Sequence, residues 1–225
     1  MVNHYKMPLP SGGFFLYNIF MKKFPDVIPV FPLSGVIYFP KTNLPLNIFE
    51  QRYLDLVNDA YKKDKLMGMV QSKKGDSDVY DIGCLGKISD YQKIKDGRIL
   101  INLTGISRFR ILKEISSKKL YREFEVDYQS FNEDIKSSYD KINTVILMEK
   151  AKTFFKRNGL LLNWIEFEKL DHIQKINTLA MIAPITNEEK QKLLETVSLK
   201  NKVEILESII SFYLHETNLN NQTIQ

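Results

Sequence analysis

The chain has 225 residues, of which 44% are hydrophobic and 26% charged, and its formal net charge is +5. These values are ordinary for a globular protein and leave room for one large domain or two small ones. A single cysteine, Cys84, excludes an intramolecular disulfide and a cysteine-rich zinc site, and it fits a reducing, cytoplasmic location. No apolar run approaches the ~20 residues that a membrane helix needs, so we expect no membrane association.

The first 23 residues read as an extension of the folded protein. Their apolar segment GFFLYNIF, residues 13–20, is short and lacks a basic region before it, which argues against a signal peptide. Met21, followed by Lys22 and Lys23, is an alternative translation start. We therefore expect residues 1–23 to be a disordered extension or a mis-assigned start.

Residues 24–131 predict a β-rich subdomain that contains one helix. The segment Val27–Phe31 is a strand candidate, and prolines at 29 and 32 confine it to an edge or an irregular position. Asn47 suits the N-cap of the helix, with Glu50 closing a capping box. The buried stripe of this helix comprises Phe49, Tyr53, Leu56, Val57 and Ala60.

The clearest strand signal lies in residues 82–115. Asp96-Gly97 predicts a type I′ hairpin turn, and Gly105 interrupts the alternation that follows it, which predicts a bulge or sharp bend. A further half-buried strand follows around Phe124 and Val126. Several such strands around one helix predict a small, barrel-like sheet.

The C-terminal third predicts helices only. A polar linker is expected at Asn132–Ser137, and helices are expected at 138–157, 166–183, 187–197 and 199–215. Thr186 and Glu189 form a capping-box pattern for the third of these helices. Residues 138–216 therefore predict a helical bundle, and the polar residues 217–225 predict a frayed tail.

Catalytic, metal and cofactor motifs are missing from the sequence. Gly83-Cys84-Leu85-Gly86-Lys87 has only two residues between its glycines and no Ser or Thr after the lysine, so it reads as strand glycines rather than a phosphate loop. The three histidines, at 4, 172 and 215, have no partner at metal-ligand spacing. We expect no cofactor, no metal and no catalytic residue.

The best candidate for nucleic-acid contact is Arg108-Phe109-Arg110, because arginine can bind phosphate while an aromatic ring stacks on a base. The competing interpretation is structural. In a strand, Phe109 would point into the core while Arg108 and Arg110 would face solvent.

Ordered motifs across most of residues 28–212 resemble the N-terminal substrate-binding domain of Lon, the ATP-dependent protease, and in particular its standalone bacterial form. They are FPLSGVIYFPKTNLPLNIFEQRY (31–53), MGMVQ (67–71), YDIGCLGKISDYQKIKDGRILINLTGISRFRI (80–111) and EEKQKLLE (188–195). One departure is Gln51, where the standalone form often has proline. A first-turn proline is optional, so we expect only a less constrained helix start.

The resemblance implies an α+β fold: a PUA-like pseudo-barrel of about six strands with one helix, followed by an all-α bundle. It also implies recognition of unfolded or tagged protein segments, in connection with a protease or chaperone in quality control. Full-length Lon carries a P-loop ATPase and a Ser-Lys protease dyad, and neither occurs in these 225 residues, so we expect no enzymatic activity.

Six residues are candidates for a peptide-binding surface. They lie at the start of the first helix and after the glycine bend: Phe49, Glu50, Arg52, Tyr53, Arg108 and Phe109. The aromatic members of this set also suit a hydrophobic core. An RNA-binding module, as in other PUA-like folds, is the alternative function, and the sequence leaves the oligomeric state open.

Overall fold

A computed structural model describes residues 24–73, 78–135 and 142–222. Six strands are present: β1 (Val27–Leu33), β2 (Asn43–Ile48), β3 (Leu66–Gln71), β4 (Ile82–Lys93), β5 (Ile99–Ile115) and β6 (Arg122–Asp127). Helix α1 (Gln51–Lys62) lies between β2 and β3. A 3₁₀ helix (Gln129–Ile135) precedes the helical region, which comprises α2 (Val145–Arg157), α3 (Trp164–Glu168), α4 (His172–Ile182), α5 (Asn187–Glu195) and α6 (Leu199–Gln222). The α+β prediction is confirmed; the expected extension 1–23 lies outside the described residues.

Five of the strands close into a ring. The sheet order is β2-β5-β4-β3-β1-β6, and β6 also pairs with β5. This closure is possible because β5 is long: its first half pairs with β2 and β4, and its last residues pair with β6. β2 is added to the ring through β5 alone, so it is an edge strand.

The prolines of β1 predict an edge strand or an irregular position, and the edge-strand alternative is wrong. β1 is flanked on both sides, antiparallel to β6 and parallel to β3. Its two prolines are tolerated because the flanking strands divide it: Pro29 pairs only on the β6 side and Pro32 only on the β3 side. Each missing N–H can therefore lie on the unpaired side.

The predicted capping box of the first helix is wrong. Asn47 belongs to β2, α1 begins at Gln51, and the N-cap residue Glu50 makes no side-chain cap. The segment before α1 is therefore a regular strand that ends at Ile48. The core face of α1 is otherwise as predicted, except that Phe49 lies before the helix and is exposed.

The β4–β5 hairpin is confirmed, although its turn type is not. A type I′ turn needs positive φ at both central residues, and only Gly97 has it, at 92°. The bend at Gly105 is confirmed: Leu85 pairs with Ser107 and Gly86 with Gly105, which leaves Ile106 as an extra residue. The segment Phe39–Thr42 crosses this bend, and the Lys41 N–H donates to the Gly105 carbonyl at 2.9 Å.

The helical region differs from the prediction in four places. The first helix, expected from residue 138, begins at Val145, and residues 142–144 before it are not helical. The expected linker 132–137 begins inside the 3₁₀ helix, where Phe131 is buried, and residues 136–141 lie outside the described residues. The helix expected at 166–183 is divided into α3 and α4, because Asp171 and Gln174 form a capping box that starts a new helix. The helix expected to fray after 216 continues to Gln222.

The helices and the barrel share one of three apolar clusters. Ile37, Phe39 and Ile82 of the β-rich part pack with Leu147, Phe154, Leu179, Leu193 and Leu206 of the helices. A second cluster lies between α1 and the sheet, and a third has members on all five strands of the ring, β1, β3, β4, β5 and β6. The helical region is therefore fixed to the barrel by buried apolar surface.

Candidate functional site

The segment between β2 and α1 exposes Phe49 and Glu50, and the first turn of α1 adds the half-buried Arg52, so three of the predicted site residues lie together. The Phe49 side chain is 66% exposed, although a phenylalanine of this kind usually fills a core. Glu50 accepts from the Arg52 Nε at 3.0 Å, and the Arg52 guanidinium lies 4.5 Å from the Tyr53 ring centre. An exposed aromatic ring thus stands beside a fixed ion pair.

Tyr53 lies below this surface and is buried. Its ring packs on Phe31 with 4.1 Å between ring centres, inside the cluster between α1 and the sheet. Tyr53 therefore supports Arg52 from beneath and has little surface of its own for a ligand.

The free edge of β2 runs up to Phe49. The Gly105 N–H donates to the Thr42 carbonyl at 2.9 Å, just before β2 begins. In an antiparallel pair, residues that are hydrogen-bonded to the partner strand alternate with residues that are not. Because Thr42 is hydrogen-bonded to β5, the backbone groups of Asn43, Pro45 and Asn47 face away from β5. Pro45 has no N–H to expose. Among the described residues no strand pairs with this edge, which leaves Asn43 and Asn47 with outward amide donors.

Arg108 and Phe109 are both buried, so the expectation that Arg108 faces solvent is wrong. A one-residue bulge at Ile106 shifts the alternation of β5, and Arg108 turns toward the helices. Phe109 is fully buried in the cluster between the strands, as the structural interpretation predicted. Of the segment Arg108-Phe109-Arg110 that the sequence offered for nucleic-acid contact, only Arg110 is exposed.

Arg108 joins the barrel to the helical region. Its side chain is 2% exposed and forms a two-point ion pair with Asp134, with an Nη2–Oδ1 distance of 2.7 Å and an Nε–Oδ2 distance of 2.8 Å. Nη1 donates to the Leu194 carbonyl at 3.0 Å and to the Thr196 carbonyl. These bonds cap the C-terminal end of α5. The guanidinium carbon of Arg108 also lies 4.6 Å from the centre of the Phe131 ring.

A second buried cation, Lys202 of α6, lies in the same interface. Its side chain is 2% exposed, and its Nζ donates to the Asn177 Oδ1 at 3.1 Å. Asn177 in turn donates to the Pro40 carbonyl at 2.9 Å, so α4 and α6 are both tied to the loop that crosses Gly105. Sequence reasoning missed this cluster, because neither residue type nor spacing distinguishes Lys202 from the surface lysines.

Burial, followed by the nearby charge of Arg108, lowers the pKa of Lys202 to about 7, although Asp134 and Cys84 act in the opposite direction. The same burial raises the pKa of the Cys84 thiol well above its ordinary value. The folded protein therefore holds Lys202 largely neutral in mildly alkaline solution and keeps Cys84 protonated.

Lys202 should make folding stability depend on pH. The unfolded chain binds this proton up to about pH 10.5 and the folded protein only up to about 7, so unfolding takes up a proton between these values and stability rises with pH. From pH 7.5 to 8.5 we expect a gain of about 1 kcal/mol that Lys202→Met lacks. Urea unfolding of both proteins at each pH measures the difference.

Comparing the two proteins removes the contribution of Tyr38, whose raised pKa weakens stability at higher pH equally in both. The Cys84 thiol also has a raised pKa and interacts with Lys202, but its contribution is small between pH 7.5 and 8.5, because the thiol of the unfolded chain titrates only at about pH 9.0. Parallel pH profiles for the two proteins would contradict the buried, weakly basic state of Lys202.

Across residues 24–73, 78–135 and 142–222, no group of three or more His, Cys, Asp or Glu side chains is placed to hold a metal ion. Within the same ranges, no helix is both long and apolar enough to span a bilayer.

Ring closure, the added edge strand and the attached helices define an α+β module. A family model for the ATP-dependent protease La (LON) substrate-binding domain matches residues 27–211. Because the match covers most of the chain, this protein belongs to that family.

Relatives with curated names agree with the family. Lon protease from Syntrophus aciditrophicus is 28% identical over 208 residues, which cover 85% of this chain and 26% of that protein. Lon protease 2 from Myxococcus xanthus is 25% identical over 200 residues, covering 83% of this chain and 24% of that protein. The chain therefore spans about a quarter of the length of these relatives.

Solved structures confirm the fold. A Lon N-terminal domain protein from Xanthomonas campestris has a TM-score of 0.60 at 22% identity and matches 81% of this chain and 97% of its own. The N-terminal domain of Lon protease from the Mycobacterium avium complex also has a TM-score of 0.60, at 18% identity, and matches 82% of this chain and 98% of its own.

Proposed function

We propose that this chain is a non-catalytic substrate-recognition module that binds extended apolar segments of unfolded or tagged proteins in the cytoplasm. It would deliver them to a protease or chaperone in protein quality control. Membership of the Lon substrate-binding family supports a recognition role. The observation that carries the proposal is the free backbone edge of β2, which ends at the exposed ring of Phe49.

An extended peptide suits this edge for a physical reason. Unfolded segments carry unpaired backbone donors and acceptors, and a free strand edge satisfies both by pairing with them. Asn43 and Asn47 would donate to the peptide, and the outward carbonyls of β2 would accept from it. Phe49 would cover an apolar side chain of the same peptide.

The edge is short and contains Pro45, so binding should be weak and reversible. Proline cannot donate a hydrogen bond, and it interrupts the row of donors that would otherwise favour edge-to-edge aggregation. A module that passes its client to another protein needs this limited affinity, because a tightly held segment would not be released.

Two substitutions test the site. Phe49→Ser removes the apolar contact, worth about 1.5 kcal/mol or roughly a tenfold loss of affinity. Asn47→Pro removes one outward N–H and should weaken binding about threefold without breaking the β2–β5 ladder. Fluorescence anisotropy with a labelled peptide of alternating valine and threonine, containing one phenylalanine, measures both effects.

The matched control is Leu161→Ser, which removes an exposed apolar side chain from the α2–α3 connection. It should leave peptide affinity unchanged. Leu46→Pro serves as the structural contrast to Asn47→Pro, because the Leu46 N–H faces β5 and its loss should lower stability. Equal losses for Phe49→Ser and Leu161→Ser would overturn the assignment of the site.

A further inference from the structure

A second surface, on the solvent-facing side of α1, forms a groove of about 430 Å³. Helix α1 contributes four residues at helical spacing: Asp55, Asn58, Asp59 and Lys62. Lys93 at the end of β4 and residues 118–121 of the β5–β6 connection supply the rest of the lining. The volume lies within the range of ordinary ligand sites.

The groove has an excess of positive charge. Four lysines and two aspartates line it, and Lys119 is paired with Glu123 at 2.7 Å. The remaining lysines, Lys62, Lys93 and Lys118, are exposed and make no ion pair with the described residues. Three positive charges therefore face one concave surface without a carboxylate partner.

Hydrogen bonds hold the floor of the groove in place. The Tyr121 hydroxyl donates to the Asp59 Oδ2 at 2.8 Å, and the Tyr91 hydroxyl donates to the Asn58 Oδ1 at 2.8 Å. Both bonds join α1 to the sheet or to its connection. The rim also carries Leu120, which is 66% exposed.

We propose that this groove binds an acidic peptide segment. Lys62, Lys93 and Lys118 would pair with Asp or Glu side chains of the ligand, and Leu120 would contact an apolar residue beside them. The inference stands on the groove alone and does not depend on peptide capture at the edge of β2.

The two aspartates favour a peptide over RNA. RNA carries a phosphate on every nucleotide, and Asp55 and Asp59 repel phosphate. A peptide can place its carboxylates against the lysines and its backbone N–H donors against the two aspartates, since a carboxylate accepts more than one hydrogen bond. The rim residue Leu120 suits an apolar side chain better than a sugar-phosphate chain. A mixed lining of lysines and aspartates matches a ligand that contributes both acids and donors.

The test uses the whole chain and a fluorescein-labelled peptide of glutamate, glycine and one leucine, measured by anisotropy. The groove variant carries Lys62→Gln, Lys93→Gln and Lys118→Gln. The control carries Lys87→Gln, Lys156→Gln and Lys192→Gln, which are exposed lysines outside the groove. Both variants lose the same charge, so long-range attraction falls equally in the two.

The groove variant should bind the acidic peptide about tenfold more weakly, since each exposed pair is worth a factor of about two to five. The control variant should stay within about twofold of the wild type. Equal losses in the two variants would overturn the proposal and indicate general charge attraction. It would also be overturned if polyuridine bound through the three groove lysines while the acidic peptide did not bind.

Discussion

Replacing Arg108 with alanine is expected to lower the free energy of unfolding by about 3–5 kcal/mol. The substitution leaves the Asp134 carboxylate buried without its partner, and it also leaves the Leu194 and Thr196 carbonyls without their donor. An unpaired buried charge costs far more than the net contribution of the pair itself. Chemical denaturation monitored by the fluorescence of Trp164, in the helical region, measures the loss.

Arg110→Ala is the matched control for this prediction. Arg110 lies two residues further along β5 and is exposed, so its loss should change stability by less than about 0.5 kcal/mol. The double variant Arg108→Met with Asp134→Leu should recover part of the loss, because no buried charge is then left alone. Similar stabilities for Arg108→Ala and Arg110→Ala would contradict the role of Arg108 in joining the barrel to the helices.

The second large effect is expected from Gly105→Ala, which should lower stability by about 3 kcal/mol. A Cβ at this position would overlap the Phe39 carbonyl oxygen and would lie 3.0 Å from the Pro40 Cα. Both are backbone atoms of the crossing segment, so a change of side-chain rotamer cannot relieve the overlap. Thermal unfolding followed by circular dichroism measures the shift.

Gly159→Ala separates this overlap from the general effect of removing a glycine. Gly159 follows α2 with a φ of +67°, and an added Cβ would meet nothing within 4 Å. It should therefore cost only the backbone strain of about 1 kcal/mol. If Gly105→Ala were no more destabilising than Gly159→Ala, the close crossing of residues 39–42 over β5 would be wrong.

Features that depend on neighbouring residues could be predicted from the sequence. Gly97 marks the β4–β5 turn, Gly105 marks the bulge, and Thr186 with Glu189 forms the predicted capping box, with an Oγ1–N distance of 3.2 Å. In each case the chemistry that determines the conformation lies within a few residues. The family motifs likewise predicted the overall α+β fold correctly.

Features that depend on distant partners could not be predicted in the same way. Arg108 and Asp134 are 26 residues apart, and the carbonyl that Arg108 reaches at Leu194 is 86 residues away. The bulge at Gly105 was predicted, but its effect on the direction of Arg108 was not. Lys202 and Asn177 come together only after α4 and α6 pack on the barrel.

The candidate binding site was predicted in part. The segment that contains Phe49, Glu50 and Arg52 was selected from the sequence, and these side chains lie at the surface or close to it. Strand β2 could not be predicted, because Pro45 and the capping pattern at Asn47 are unusual within a strand. Its free edge could be recognised only from the pairing partners that it has and lacks.

Peptide capture at the edge of β2 is tested most directly by nuclear magnetic resonance of the ¹⁵N-labelled protein titrated with the valine-threonine peptide. We predict that amide shifts concentrate at Asn43, Asn47 and Phe49, and that hydrogen exchange of the Asn43 and Asn47 amides slows on binding. Binding with no change at these amides, and with shifts confined to other surfaces, would contradict strand addition at β2.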